Sequence, residues 1–67
     1  MDIRKRLGRN IRQLRKREGW SQEDYADRAE IHRTYVSDIE RGERNPTIRI
    51  IEKLAKPFKV AAGSLLD

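Results

Sequence analysis

Apolar residues recur along this chain at helical spacing, in short segments separated by polar or glycine-containing breaks. Ile3, Leu7, Ile11 and Leu14 follow one another at intervals of four, four and three, which predicts one apolar stripe on a first helix. Asp2 is a suitable N-cap, because its carboxylate can accept from a first-turn amide and favours the positive helix end. Gly19 supplies the left-handed stop common just past a helix end. Gly8 falls mid-helix, where it costs about 1 kcal/mol relative to Ala; close packing by a neighbouring backbone would explain it.

Ser21 is the next N-cap, and Asp24 three residues on makes a variant capping box with a shorter acid than the usual Glu or Gln. Tyr25, Ala26 and Ala29 form the inward edge of this second helix, with small alanines that let another helix approach at a steep angle. Trp20, just before the cap, is expected to pack against Tyr25 or nearby core residues as a hydrophobic staple. A third helix begins near His32 or Arg33 and runs to about Arg41, with Gly42 as its stop. Ile31, Val36 and Ile39 point inward, while Arg33, Thr34, Ser37 and Asp38 lie on the opposite side. After a polar turn ending in Pro46, Thr47 caps a fourth helix with Ile48, Ile51, Leu54 and Ala55 as its stripe. Pro57 ends that helix, since its ring clashes with the previous turn. Phe58 and Val60 reach the core, and Ala62 to Leu66 form a short fifth helix. The expected fold is all-α: a compact bundle of four to five short helices in a single domain over residues 1–67.

Size and composition narrow the chemistry. A chain of 67 residues buries only about 60% of its unfolded surface, so stability is modest. The absence of cysteine excludes disulfides and thiolate zinc sites, and the lone His32 cannot assemble a metal site. No nucleophile–base pair or Gly-rich phosphate loop is visible, so neither an enzyme nor a cofactor is expected, and no small-molecule ligand is evident. No apolar run approaches the roughly 20 residues of a membrane span. The basic N-terminus has no signal-peptide core, so a cytoplasmic protein without membrane contact is expected. The 16 basic residues outnumber 11 acidic ones, and the excess is concentrated. Residues 1–18 hold Arg4, Lys5, Arg6, Arg9, Arg12, Arg15, Lys16 and Arg17 against only Asp2 and Glu18. Such concentration suits a polyanionic partner, or is the solvated face of a basic helix.

The pattern IRQLRKREGWSQEDYADRA, a short turn, RTYVSDIERGERNPT and an apolar helix resembles the helix-turn-helix family of phage repressors and Cro proteins, the XRE type. The block RTYVSDIERGERNP is similar to the controller proteins of restriction–modification systems and related small stand-alone regulators. The resemblance covers nearly the whole chain and places the helix-turn-helix at about residues 21–41. It implies a sequence-specific double-stranded DNA-binding transcriptional regulator, and the controller-like block favours control of a restriction–modification operon. An antitoxin-type interaction module that also binds its operator is the alternative.

Carried onto this sequence, the resemblance implies base contacts by Arg33, Thr34, Ser37 and Asp38. It implies phosphate contacts by Gln22 at the start of the second helix, and by Arg44 and Asn45 in the loop. Arg15 and Glu40 match a buried ion pair. Most of these residues have a second reading, and for Arg44 and Asn45 it is an ordinary turn. The Arg33 fork fits guanine O6 and N7, or the side chain is solvated or paired with Asp38 or a phosphate. Thr34 touches a base or the backbone, or packs at the helix start. Ser37 reaches DNA directly or through water. Asp38 accepts from cytosine N4, orients Arg33 or Arg41, or repels wrong sequences. Tyr35 belongs to the core or lies along the sugar-phosphate edge. Val60, Leu65 and Leu66 complete the monomer core or form a two-fold interface. A homodimer is expected at least on DNA, since two recognition helices about 34–36 Å apart suit a near-palindromic operator. RNA polymerase is a further partner if binding activates. Glu30 departs from the family pattern, which most often has Gly in this turn.

Overall fold

The Asp2 side chain accepts the Arg4 amide at 2.8 Å and opens α1, Ile3–Glu18. The computed structural model describes residues 2–67. Helices α2 (Gln22–Ala29), α3 (Arg33–Glu40) and α4 (Ile48–Ala55) follow, then two 3₁₀ turns, Lys56–Phe58 and Ala62–Leu66. Among the described residues the fold is all-helical.

Each helix starts where a side chain satisfies an amide that has no intrahelical acceptor. Ser21 Oγ accepts from Asp24 N at 3.0 Å while Asp24 Oδ2 accepts from Ser21 N at 3.2 Å, so the capping box closes in both directions. Thr47 Oγ1 accepts from Ile50 N at 3.2 Å. Gly19 ends α1 with φ 77°, in the left-handed region. At the end of α2 the same region is taken by Glu30, with φ 58° and ψ 44°. An L residue there costs about 1–2 kcal/mol, and the Ile31 amide bonded to the Ala26 carbonyl at 3.0 Å helps to hold the turn.

The core gathers one face of every helix: Leu7 and Ile11 from α1, Tyr25, Ala26 and Ala29 from α2, Val36 and Ile39 from α3, Leu54 and Ala55 from α4. Trp20 stacks on Tyr25 and on Phe58, with ring centroids 6.3 and 5.5 Å apart. The Tyr25 hydroxyl donates to the Leu54 carbonyl at 2.6 Å, which satisfies the one polar atom of a ring that is otherwise fully enclosed. Gly8 marks the crossing of α1 and α3. A Cβ at that position would collide with the Ile39 carbonyl oxygen and stand 2.8 Å from that of Glu40.

Two expectations need correction. Ile48 is 80% exposed and takes no part in the core; with Ile3, at 49%, it sits in the first turn of its helix with little packed over it. Partly buried Ile50 and Ile51 pack against the core in its place. The last segment is a 3₁₀ turn rather than a fifth α-helix. Asn10 holds it to α1, donating from Nδ2 to the Leu65 and Asp67 carbonyls at 2.9 Å each. Pro57 stands at the start of the 3₁₀ turn that terminates α4.

Candidate nucleic-acid interface

A charged clamp fixes the angle at which α3 is presented. Arg15 Nε donates to Glu40 Oε2 at 2.7 Å and Nη2 donates to Oε1 at 3.0 Å, joining the end of α1 to the end of α3. The side chains are only 12% and 5% exposed. Arg15 Nη1 also donates to the Trp20 carbonyl at 2.9 Å. Hydrogen bonding to Glu40 raises the Arg15 pKa above its ordinary value, against the opposing effect of burial. Gln22, first residue of α2, donates from Nε2 to Glu40 Oε1 at 3.2 Å. The start of α2 is thereby tied to the same carboxylate, and its first backbone amides lie beyond the reach of intrahelical acceptors.

At the leading end of α3, His32 Nδ1 accepts the Thr34 amide at 3.1 Å and acts as the N-cap. This leaves Arg33 and Thr34 exposed. Arg33 pairs across to Glu23 at 3.5 Å, with both side chains largely in solvent at 64% and 72%. Such an exposed pair is worth little and is readily exchanged for another partner.

The trailing half of the outer face is different, because its groups are already engaged. Asp38 Oδ1 accepts from Arg41 Nη2 at 2.6 Å, and Oδ2 accepts from Arg44 Nε at 3.1 Å. Ser37 Oγ accepts from Arg41 Nη1 at 2.6 Å. Arg41 Nε donates to Glu43 at 3.0 Å, and hydrogen bonds to Glu43 and then Asp38 hold the Arg41 pKa above its usual value. The Arg44 guanidinium lies 4.6 Å from the centroid of the Tyr35 ring, a half-buried platform that also packs against the core. Asn45 is exposed beside it.

Both Asp38 oxygens are therefore occupied by arginines, Arg41 and Arg44, so of the two partners left open for Asp38 the structure takes Arg41 and not Arg33. Leu65 is fully buried in the monomer core, which removes it from any surface, whereas Val60 and Leu66 are only partly buried against that core. The capping role of His32 escaped the sequence reading, whereas Arg41 was one of the two arginines it left open as partners of Asp38. The spacing of Arg41 from Ser37 and Asp38, at four and three residues, is the local signal for that pairing. Among the described residues, no group of three or more His, Cys, Asp or Glu could hold a metal ion. No described helix is long and apolar enough to cross a membrane.

An exposed helix start, a short left-handed turn and a second helix locked behind it form one continuous unit. A helix-turn-helix family model matches residues 11–65. The chain belongs to the helix-turn-helix family. This helix-turn-helix protein is 45% identical over 67 residues to the control protein C.BamHI of Bacillus amyloliquefaciens, an alignment covering 98% of this chain and 83% of that one. Its fold is similar to the crystal structure of the hypothetical transcription factor NHTF from Neisseria, with TM-score 0.93 and 44% identity over 98% of this chain and 76% of that one. It is also similar to the restriction–modification controller protein C.Esp1396I, crystallised as a tetramer with its natural 35 base-pair operator. There the TM-score is 0.86 and the identity 32%, over 97% of this chain and 86% of that one.

Proposed function

We propose that this helix-turn-helix protein is a sequence-specific double-stranded DNA-binding transcriptional regulator. It acts as a homodimer on a near-palindromic operator, in the manner of a restriction–modification controller. The observation that carries this reading is the exposure of Arg33 and Thr34 at the leading end of α3, beside the open start of α2, on a frame held by Arg15 and Glu40. A helix presented in this way can place its first turn in the major groove.

In this reading Arg33 leaves Glu23 and directs its fork to guanine O6 and N7, while Thr34 reaches a neighbouring base or the backbone. Gln22 and the α2 amides receive one phosphate. Arg44, supported on Tyr35, and Asn45 receive phosphates on the other flank of the groove. Ser37 and Asp38 act mainly by setting the directions of Arg41 and Arg44. Their occupied oxygens make Asp38 a selector against wrong sequences rather than a direct reader of cytosine. Val60 and Leu66 contribute to the two-fold contact. Residues 1–67 work as one domain.

Selection of bound duplexes from a random pool tests this. A motif with two-fold symmetry is the expected outcome, and absence of enrichment would sink the proposal. Within the selected site, Arg33→Ala relaxes preference at one position per half-site. Arg44→Ala weakens all sequences alike and flattens the salt dependence. Equal loss on every sequence for both variants would remove Arg33 from base reading.

A further inference from the structure

The segment that carries α3 has an excess of acidic residues. Residues 21–47, which hold α2, α3 and the loop after them, contain seven acidic and four basic residues. Taken alone, that segment repels a polyanion. Duplex binding draws most of its sequence-independent affinity from cations that displace condensed counterions, so the cations must come from elsewhere. Residues 1–18 contain eight basic and two acidic residues.

Within α1, Lys5, Arg9, Arg12 and Lys16 recur at intervals of four, three and four. That spacing gathers them within about 60° of arc and along about 16 Å of the helix axis. All four are exposed, and none joins an ion pair among the described residues. By contrast Arg33, Arg41 and Arg44 each lie near a carboxylate, at 3.5, 2.6 and 3.1 Å. The ridge also adjoins the α3–α4 loop. A Cβ added at Gly42 would stand 2.8 Å from Lys5 Cγ, so Lys5 rests against the residue that separates Arg41 from Glu43 and Arg44. From there the cations lead away along α1, on the arc next to the one that packs on α3.

We propose that Lys5, Arg9, Arg12 and Lys16 form a second contact surface for duplex DNA, tracking phosphates that flank the bases read by α3. This rests on the DNA-binding reading above and adds to it the source of the non-specific affinity. The ridge carries no sequence information; it offsets the negative charge of the recognition segment and holds the protein to the duplex.

The test compares the wild-type chain with the variant K5Q/R9Q/R12Q/K16Q, in which glutamine keeps good helix propensity. Binding is titrated over a range of salt on the selected duplex and on an unrelated duplex, with circular dichroism and urea melting as folding controls. The variant is expected to fold normally and to show a log Kd against log salt slope shallower by about 2–4. It should lose affinity by the same factor on both duplexes, roughly tenfold or more at physiological salt. An unchanged slope and affinity would overturn the ridge while leaving the regulator reading intact. A wild-type chain that binds neither duplex would overturn that reading, and the ridge with it. Intact DNA binding with loss only of polymerase-dependent transcription would assign the ridge to a protein partner, which also overturns the proposal. If the quadruple variant is incompletely folded, K5Q/R9Q and R12Q/K16Q are titrated separately, each expected to remove about half of the slope change.

Discussion

Replacing Arg15 with Met strands a carboxylate. Glu40 is 5% exposed, and without Arg15 its remaining side-chain donor is the Gln22 amide at 3.2 Å. The two short bonds at 2.7 and 3.0 Å are lost, as is the link to the Trp20 carbonyl at 2.9 Å. Removing one partner of a buried pair costs about 3–5 kcal/mol, mostly as the penalty of leaving the other charge unpaired. A chain of 67 residues has a total stability of about 3–10 kcal/mol. The loss is therefore a large fraction of the whole. At about 4–8 °C per kcal/mol for a domain of this size, Tm falls by roughly 12–40 °C. Urea melts of wild type, Arg15→Met, Glu40→Leu and the double variant give the coupling directly. The double variant should recover most of the loss, because neither charge is left alone. DNA binding by Arg15→Met should follow the folded fraction. A loss below about 1 kcal/mol, the range of exposed pairs, would refute the view that this clamp holds α3 in place.

Two further expectations test the packing. Gly8→Ala should destabilise the fold, since overpacking against the Ile39 and Glu40 carbonyl oxygens costs about 1–3 kcal/mol and outweighs a helix-propensity gain of about 1 kcal/mol; Gly63→Ala, with nothing within 4 Å of its added Cβ, is the control, and a raised Tm for Gly8→Ala would contradict the crossing. The Tyr25 pKa is raised above its ordinary value of 10.0 by burial and then by the charge of Glu40. Its contribution is therefore fully present below pH 10 and declines above it, because the unfolded chain releases a proton that the folded chain retains. The fall is about 1.4 kcal/mol per pH unit. Tyr25→Phe should be weaker by about 1 kcal/mol at neutral pH yet lack that decline, so identical pH dependence of the urea midpoints from pH 9 to 11 would exclude Tyr25 as its source.

The capping residues and breaks were legible because they act over three or four positions. Asp2, Ser21 with Asp24, and Thr47 each bond an amide two or three residues away, and Gly19 and Gly42 hold the positive φ that their positions require. The pairing of Arg15 with Glu40, 25 residues apart, was visible only through the family resemblance, since no local pattern joins them. Glu30 shows the limit of residue preference. It adopts the left-handed turn that glycine would take more easily, and the packing of α2 on α3 holds it there.

Sequence alone determined where the helices begin and stop, which of their edges is largely apolar, and that positive charge concentrates in the first 18 residues. It could not decide that Ile48 is left outside, that Leu65 is enclosed, or that Asp38 faces Arg41 and Arg44 instead of Arg33. Periodicity gives the direction of a side chain about its own helix axis. Whether something lies in that direction depends on how the helices cross. At Gly8 the missing Cβ lets α1 and α3 meet backbone to backbone, and this contact, with the Arg15–Glu40 clamp, leaves the first turn of α3 facing solvent.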